Sequence, residues 1–304
     1  MLSILSNPAV IGLMAVFLSV IWMLRDENDR TRPFLVLALV VNLFYGWLLS
    51  FVMGRENGLV PWKYDFVLRG LDDALAVPTA HIAGMSQPLR YPLMVVYQLM
   101  VPMMIAWFLV ARQRRASGSL VVAYVTEMIV GPMLYAIVPG CGPLYAFHGQ
   151  WLHPPDVQAV VIRLSGMPNA FPSLHAATGL VFVSFARGWL WKSVSLLFLV
   201  GTILATISTG EHYAIDLVAG LAFGCFAANA GTRKIARSAI YLALVLGWSL
   251  TVRFAHAFLI AHSMLLALLA GATLVAVVAH VFVEWQGDHQ LLPVTAEAAA
   301  PAFD

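Results

Sequence analysis

The chain has 304 residues, 61% hydrophobic and only 11% charged, with a formal net charge of +2 and a mean hydropathy of +0.84. A soluble domain carries about twice that charged fraction, so the composition excludes one. No basic stripe interleaved with aromatics points to nucleic acid as a partner. Apolar stretches of about 20 residues cross a bilayer as helices, and here they follow one another nearly end to end. The expected fold class is all-α, a polytopic membrane helical bundle.

Nine spans are expected, at about 8–24, 33–53, 93–111, 119–138, 173–190, 193–209, 212–231, 238–254 and 263–283. The first is preceded by no basic residue and followed by Arg25, Arg30 and Arg32, the reverse of a secretory signal peptide. It is therefore read as an uncleaved span with the N-terminus outside. Eleven of the seventeen basic residues then fall in four short turns on one side: those three, Arg112, Arg114 and Arg115, Arg187 and Lys192, and Arg233, Lys234 and Arg237. The positive-inside rule makes that side cytoplasmic. Residues 1–285 form one integral membrane unit, and 286–304 a flexible, low-complexity cytoplasmic tail.

Two long outer loops stand out. In the first, Tyr64, Val67, Leu68, Leu71 and Leu75 recur at helical spacing, which predicts a helix over about 62–75 lying in the interface plane. Lys63, Asp65, Arg69 and Asp72 on it are either solvated charges of a brace or contacts to a polar headgroup. The second loop, 139–172, is rich in Pro and Gly and carries Tyr145, His148, His153 and Arg163; loops of this length tend to be functional. Cys141 and Cys225 are not expected to pair, and no Cys/His cluster suggests a metal.

The most informative stretch runs from Asn169-Ala-Phe-Pro-Ser-Leu-His175 to Thr209-Gly-Glu-His-Tyr-Ala-Ile-Asp216. Enough apolar chain lies between these two polar runs to cross a bilayer and return, so His175 and His212 are expected side by side at the outer face. His212 and Asp216, four apart, share one helix face; a carboxylate on one ring nitrogen leaves the other free to attack. An acid within the membrane is costly and is usually paired or functional. Pro172 and Ser173 open the preceding span, whose N-terminal N–H groups suit an anion. Two imidazoles and an anion nest describe phosphoryl transfer without metal, so no cofactor is expected. Glu127, a second intramembrane acid, is either hydrogen-bonded to neighbouring helices or lines a headgroup cavity.

Pro172-Ser-Leu-His175, and His212-x3-Asp216 at its spacing, resemble the type-2 phosphatidic acid phosphatase superfamily, whose motifs read KxxxxxxRP, PSGH and SRxxxxxHxxxD. The likeness covers about 119–231. Leu174 replaces Gly, and Ala205-Thr206 replaces Ser-Arg; Phe-Pro-Ser-Leu-His followed by His-Tyr-x-x-Asp-Leu is more similar to the inositol phosphorylceramide synthase branch. Arg25-x6-Arg32-Pro33 fits the first motif's spacing but falls on the cytoplasmic side and is read as a decoy. The resemblance implies His212 as nucleophile, Asp216 orienting it, His175 as acid and base, and Ser173 binding phosphate through its amide and hydroxyl. The lost motif arginine calls for another cation, Arg163 first, then Lys63 or Arg69. The implied activity is a lipid phosphatase or phosphotransferase at the outer face of a bacterial inner membrane, with a phospholipid or lipid phosphate as substrate. A lipid-binding or transport protein without chemistry on the same scaffold is the alternative.

Overall fold

The structure, a computed structural model, describes residues 51–113, 117–154, 156 and 158–286. The expected span 8–24, most of 33–53, the Arg25–Arg32 spacing and the tail from 287 lie outside them. After helical turns over 51–59 come β1 (Trp62–Lys63), α1 (Asp65–Ala74), α2 (Thr79–Ser86), α3 (Arg90–Gln98), α4 (Met100–Gln113) and α5 (Ser117–Ile137). There follow β2 (Ile162–Arg163), α6 (Leu174–Phe185), α7 (Trp189–Thr209), α8 (Ala214–Gly231), α9 (Ile235–Ala261) and α10 (Ser263–Gln286). The two short strands pair antiparallel, Trp62 opposite Arg163 and Lys63 opposite Ile162, and pin the two long loops together.

Among the described residues, α5, α7, α8, α9 and α10 are long and apolar enough to cross a membrane. The protein is an integral membrane protein. Two of the nine expected spans take a different form. The stretch read as 93–111 is broken: Thr79–Gln98 and Pro102–Phe108 meet at 55°. The stretch read as 173–190 yields α6, of only 12 residues, about 18 Å at 1.5 Å per residue against a hydrocarbon core of about 30 Å. Its short length leaves terminal carbonyls inside the protein, where nothing hydrates them. Indole N–H groups answer them: Trp107 donates to the Phe182 carbonyl at 2.9 Å and Trp285 to that of Val183 at 3.0 Å. Arg187 donates to the Ser184 carbonyl at 3.1 Å.

The bundle is organised around α8. Of its apolar window 83% is buried inside the protein, against 28% for α9 and α10; the outward residues of those two, such as Phe254, Leu268 and Val275, are suited to face lipid. Small residues let α6 approach α8 at van der Waals distance. A Cβ at Gly224 would stand 2.5 Å from the Ala177 carbonyl oxygen, and one at Gly220 would meet the Ser173 carbonyl, the Ser173 Cβ at 3.1 Å and the Ala176 Cβ at 3.2 Å. The two glycines are four apart, the spacing that lets membrane helices touch backbone to backbone. The two helices run parallel, with the start of α6 level with Gly220 rather than with Ala214. It is therefore sunk about 9 Å below the start of α8 at 1.5 Å per residue.

The expected interfacial helix is α1, and it is a brace, not a free surface element. Val67, Leu68 and Leu71 are fully buried in a cluster with Trp248, Val252 and Leu259 of α9. Its two acids bind backbone. Asp72 accepts the Ala214 and Ile215 amides at 2.8 and 3.0 Å, capping α8 where the N–H groups have no helical partner. Asp65 accepts the Cys141 and Gly142 amides at 3.0 and 2.8 Å and the Tyr213 hydroxyl at 3.0 Å. A hydrogen bond to a charged group contributes about 1.5–3 kcal/mol, so these contacts fix where α8 starts.

Candidate active site

The turn between α7 and α8 carries His212. Helix α7 closes on Gly210 in the left-handed region, φ 76, with Trp151 packed where a Cβ would stand; glycine takes that conformation without steric cost. The chain then presents Glu211 and His212 and enters α8 at Ala214 through a capping box. Asp216 Oδ2 accepts the Tyr213 amide at 2.9 Å, which anchors Asp216 beneath His212.

The rings of His175 and His212, from α6 and the α7–α8 turn, lie edge to face with centroids 5.7 Å apart. Both histidines and Asp216 therefore meet. His212 Nδ1 sits 3.0 Å from the Ala170 carbonyl oxygen and 3.5 Å from Asp216 Oδ2. A carbonyl only accepts, so Nδ1 carries the hydrogen and the Nε2 lone pair is free. The pairing inferred from spacing is thus shared: the Ala170 carbonyl is the nearer acceptor and Asp216 the farther. Burial pushes the His212 imidazole down to about 4, against an upward pull from Glu211. The ring is neutral at physiological pH.

Ser173 is fully buried as the N-cap of α6. Its hydroxyl accepts the Ala176 amide at 3.3 Å, and its own amide donates to the Asp216 carbonyl at 3.0 Å. That amide is therefore engaged by α8 rather than open to a phosphate. The open donors at the helix mouth are the Leu174 and His175 amides, ahead of the first intrahelical bond.

The other residues singled out in the sequence are scattered. Lys63 is fully buried, its ammonium held by Asn57 Oδ1 at 2.9 Å and the Val60 carbonyl at 2.7 Å, so it is an internal tie and not a headgroup contact. Asp65 and Asp72 are internal ties as well; burial raises Asp65 and lifts Asp72 to about 7. Arg69 pairs with Asp73 at 3.0 Å. Glu127 is 2% exposed and accepts the Thr178 hydroxyl at 2.9 Å, inside the bundle one helical turn beyond His175. Arg163 is exposed on β2, with no contact to either histidine among the described residues. Tyr145 is close to the site: its hydroxyl donates to Glu211 Oε1 at 3.3 Å.

Two features of the site escape the motif reading. Tyr97 of α3 stacks on His175, with centroids 4.3 Å apart and planes within 21°. Nothing local distinguishes Tyr97 from other aromatics in an apolar segment. The second is the Gly220/Gly224 pair, which is visible in sequence as a four-residue spacing.

Comparison with curated proteins and with solved structures finds no significant match. The sequence profile of the PAP2 superfamily matches residues 76–230, just over half of the chain. The match takes in His175, His212 and Asp216, and it begins far enough upstream to include Tyr97. With that coverage, the chain belongs to the PAP2 superfamily.

Proposed function

We propose that this protein is a metal-independent lipid phosphoesterase or phosphotransferase that works through a phosphohistidine at the outer membrane face. Membership of a superfamily of phosphatase type supports the phosphoric-ester chemistry. The observation that carries the rest is the setting of the His212 ring: its Nδ1 meets the Ala170 carbonyl, which leaves the Nε2 lone pair free, and the ring lies edge to face with that of His175. In this reading His212 Nε2 attacks phosphorus, the bond from phosphorus to the lipid alcohol oxygen breaks, and His175 delivers a proton to that oxygen. His175 then takes a proton from water, or from an acceptor hydroxyl, as that oxygen displaces His212 from phosphorus. The Leu174 and His175 amides at the α6 mouth receive the phosphate oxygens, and Arg163, exposed and close in sequence to Ala170, supplies the countercharge in place of the absent motif arginine. Asp216 orients His212 from below.

Transfer to an alcohol or inositol acceptor belongs to the same proposal, on the likeness of Phe171-Pro-Ser-Leu-His175 and His212-Tyr-x-x-Asp216 to the inositol phosphorylceramide synthase branch. Purified His212→Ala, offered each lipid phosphate that the parent turns over, is expected to lose at least about 10³-fold in rate, as when a nucleophile is removed. Unaltered turnover of every substrate would reject the proposal in favour of a binding or transport role.

A further inference from the structure

A cavity of about 230 Å³ is lined in part by Gln87, Arg90, Trp151, Ser208, Thr209 and Glu211. It joins the site through Glu211, the residue next to His212, whose carboxylate receives the Tyr145 hydroxyl at 3.3 Å. Among the described residues no lysine or arginine lies within ion-pair distance of Glu211. Arg90 stands at the start of α3, two helical turns before the Tyr97 that stacks on His175, and lines the same cavity. The cavity therefore holds both a carboxylate, next in sequence to His212, and a guanidinium, with no ion pair between them.

A phosphate monoester dianion held at His212 would bring two negative charges against Glu211. A phosphodiester with one negative charge and an ammonium a few bonds away would place that ammonium against the carboxylate. Trp151, packed on Gly210, gives the wall an apolar aromatic surface, and the hydroxyls of Ser208 and Thr209 add acceptor lone pairs. A neutral polyol would leave the half-buried Glu211 without a countercharge, so it gains no such pairing.

We infer that this cavity is a headgroup subsite in which Glu211 selects phosphodiesters bearing an ammonium group. The inference rests on the phosphoryl-transfer reading of the adjoining histidines and names the substrate class that reading leaves open. Burial raises the Glu211 carboxyl, and a neighbouring ammonium would favour its charged form.

The test is isothermal titration of the full-length protein in detergent with two water-soluble probes, glycerophosphoethanolamine and glycerophosphoglycerol. The parent is expected to bind the amine probe about tenfold more tightly, about 1.4 kcal/mol, and Glu211→Gln to bind the two within twofold of each other. Tyr145→Phe, which removes the hydroxyl and keeps the ring, is expected to reduce the preference to about threefold and serves if the glutamine variant does not fold. Equal affinities in the parent, or a preference that survives in Glu211→Gln, would overturn the inference. The same titration on His212→Ala separates the two ideas: a retained preference there, together with undiminished turnover, would sink the phosphohistidine and leave the subsite standing.

Discussion

Replacing Gly220 by alanine tests whether the closeness of α6 to α8 sets the geometry of the histidines. At Gly224 an added Cβ falls 2.5 Å from the Ala177 carbonyl oxygen, about 0.9 Å inside an ordinary contact. At Gly220 the shortfall against the Ser173 carbonyl is no smaller. Backbone cannot rotate away as a side-chain tip can, so α6 must retreat from α8 by about 1 Å. Ser173 precedes His175 by two residues, while His212 is tied to α8 through the Tyr213–Asp216 capping box. The shift therefore moves one imidazole relative to the other. A misplacement of about 1 Å can cost about 10²-fold in rate, or about 2.7 kcal/mol in the barrier, and overpacking of this kind costs about 1–3 kcal/mol in stability. Purified Gly220→Ala is expected to elute as the parent does, to melt somewhat lower, and to show kcat/KM reduced about 10²-fold. Gly271→Ala, where a Cβ meets nothing within 4 Å, is expected to match the parent within twofold. Parental kcat/KM in a folded Gly220→Ala would refute the link between glycine packing and catalytic geometry.

Three further outcomes follow from the site. Tyr97→Ala, which removes the ring stacked on His175, is expected to lower kcat about tenfold with KM within threefold, whereas Tyr97→Phe keeps the stack and the rate; equal rates for both variants would show that the stack is idle. Arg163→Ala is expected to lower kcat/KM about 10²-fold, the scale of one lost oxyanion partner, without altering thermal stability, and Lys63→Ala, which breaks a buried tie, should do the opposite; the reverse pattern would reassign the phosphate cation. The pH dependence follows from His212, whose attacking form is neutral and whose imidazole burial pushes down to about 4. On a phosphodiester substrate, kcat/KM is expected not to fall between pH 7 and about 5, any rise there reporting protonation of His175 as the acid, and to fall only toward pH 4; an acid limb near the ordinary histidine value of about 6.5 that persists in Glu211→Gln would contradict it. Stability has the matching sign: a histidine lowered on folding contributes fully above about 6.5 and loses that contribution as pH falls through its folded value.

The proposed catalytic group was legible because its spacing is short-range: His212 and Asp216 are four residues apart across the start of α8, and α6 and α7 lead away from His175 and back to His212. Lengths were less legible. Periodicity cannot distinguish a 12-residue helix buried on all sides from a full span, and the end of α6 is closed by Arg187 just beyond it and by Trp107 and Trp285, which come from two distant parts of the chain. The helix α9, drawn from sequence as 238–254, starts at Ile235 and kinks at Ala255, one residue past the expected end; a second helical segment continues to Ala261 and packs Leu259 with Val67, Leu68 and Leu71 of α1. From sequence, Asp65 and Asp72 are either solvated charges of a brace or headgroup contacts. Seven residues apart, they occupy one side of α1, and that side is buried against the Cys141 loop and the start of α8, partners 76 and 142 residues away. Tyr97 was not legible at all, since its significance comes from a ring on another helix.

The measurement closest to the centre of this account is rapid-quench labelling with a lipid carrying radioactive phosphorus at the scissile ester. The account predicts an acid-labile, base-stable label on the peptide that contains His212, absent from His212→Ala and longer-lived in His175→Ala, where the second proton transfer is slowed. Steady turnover with no labelled protein at any time, or a label that persists when His212 is gone, would contradict it.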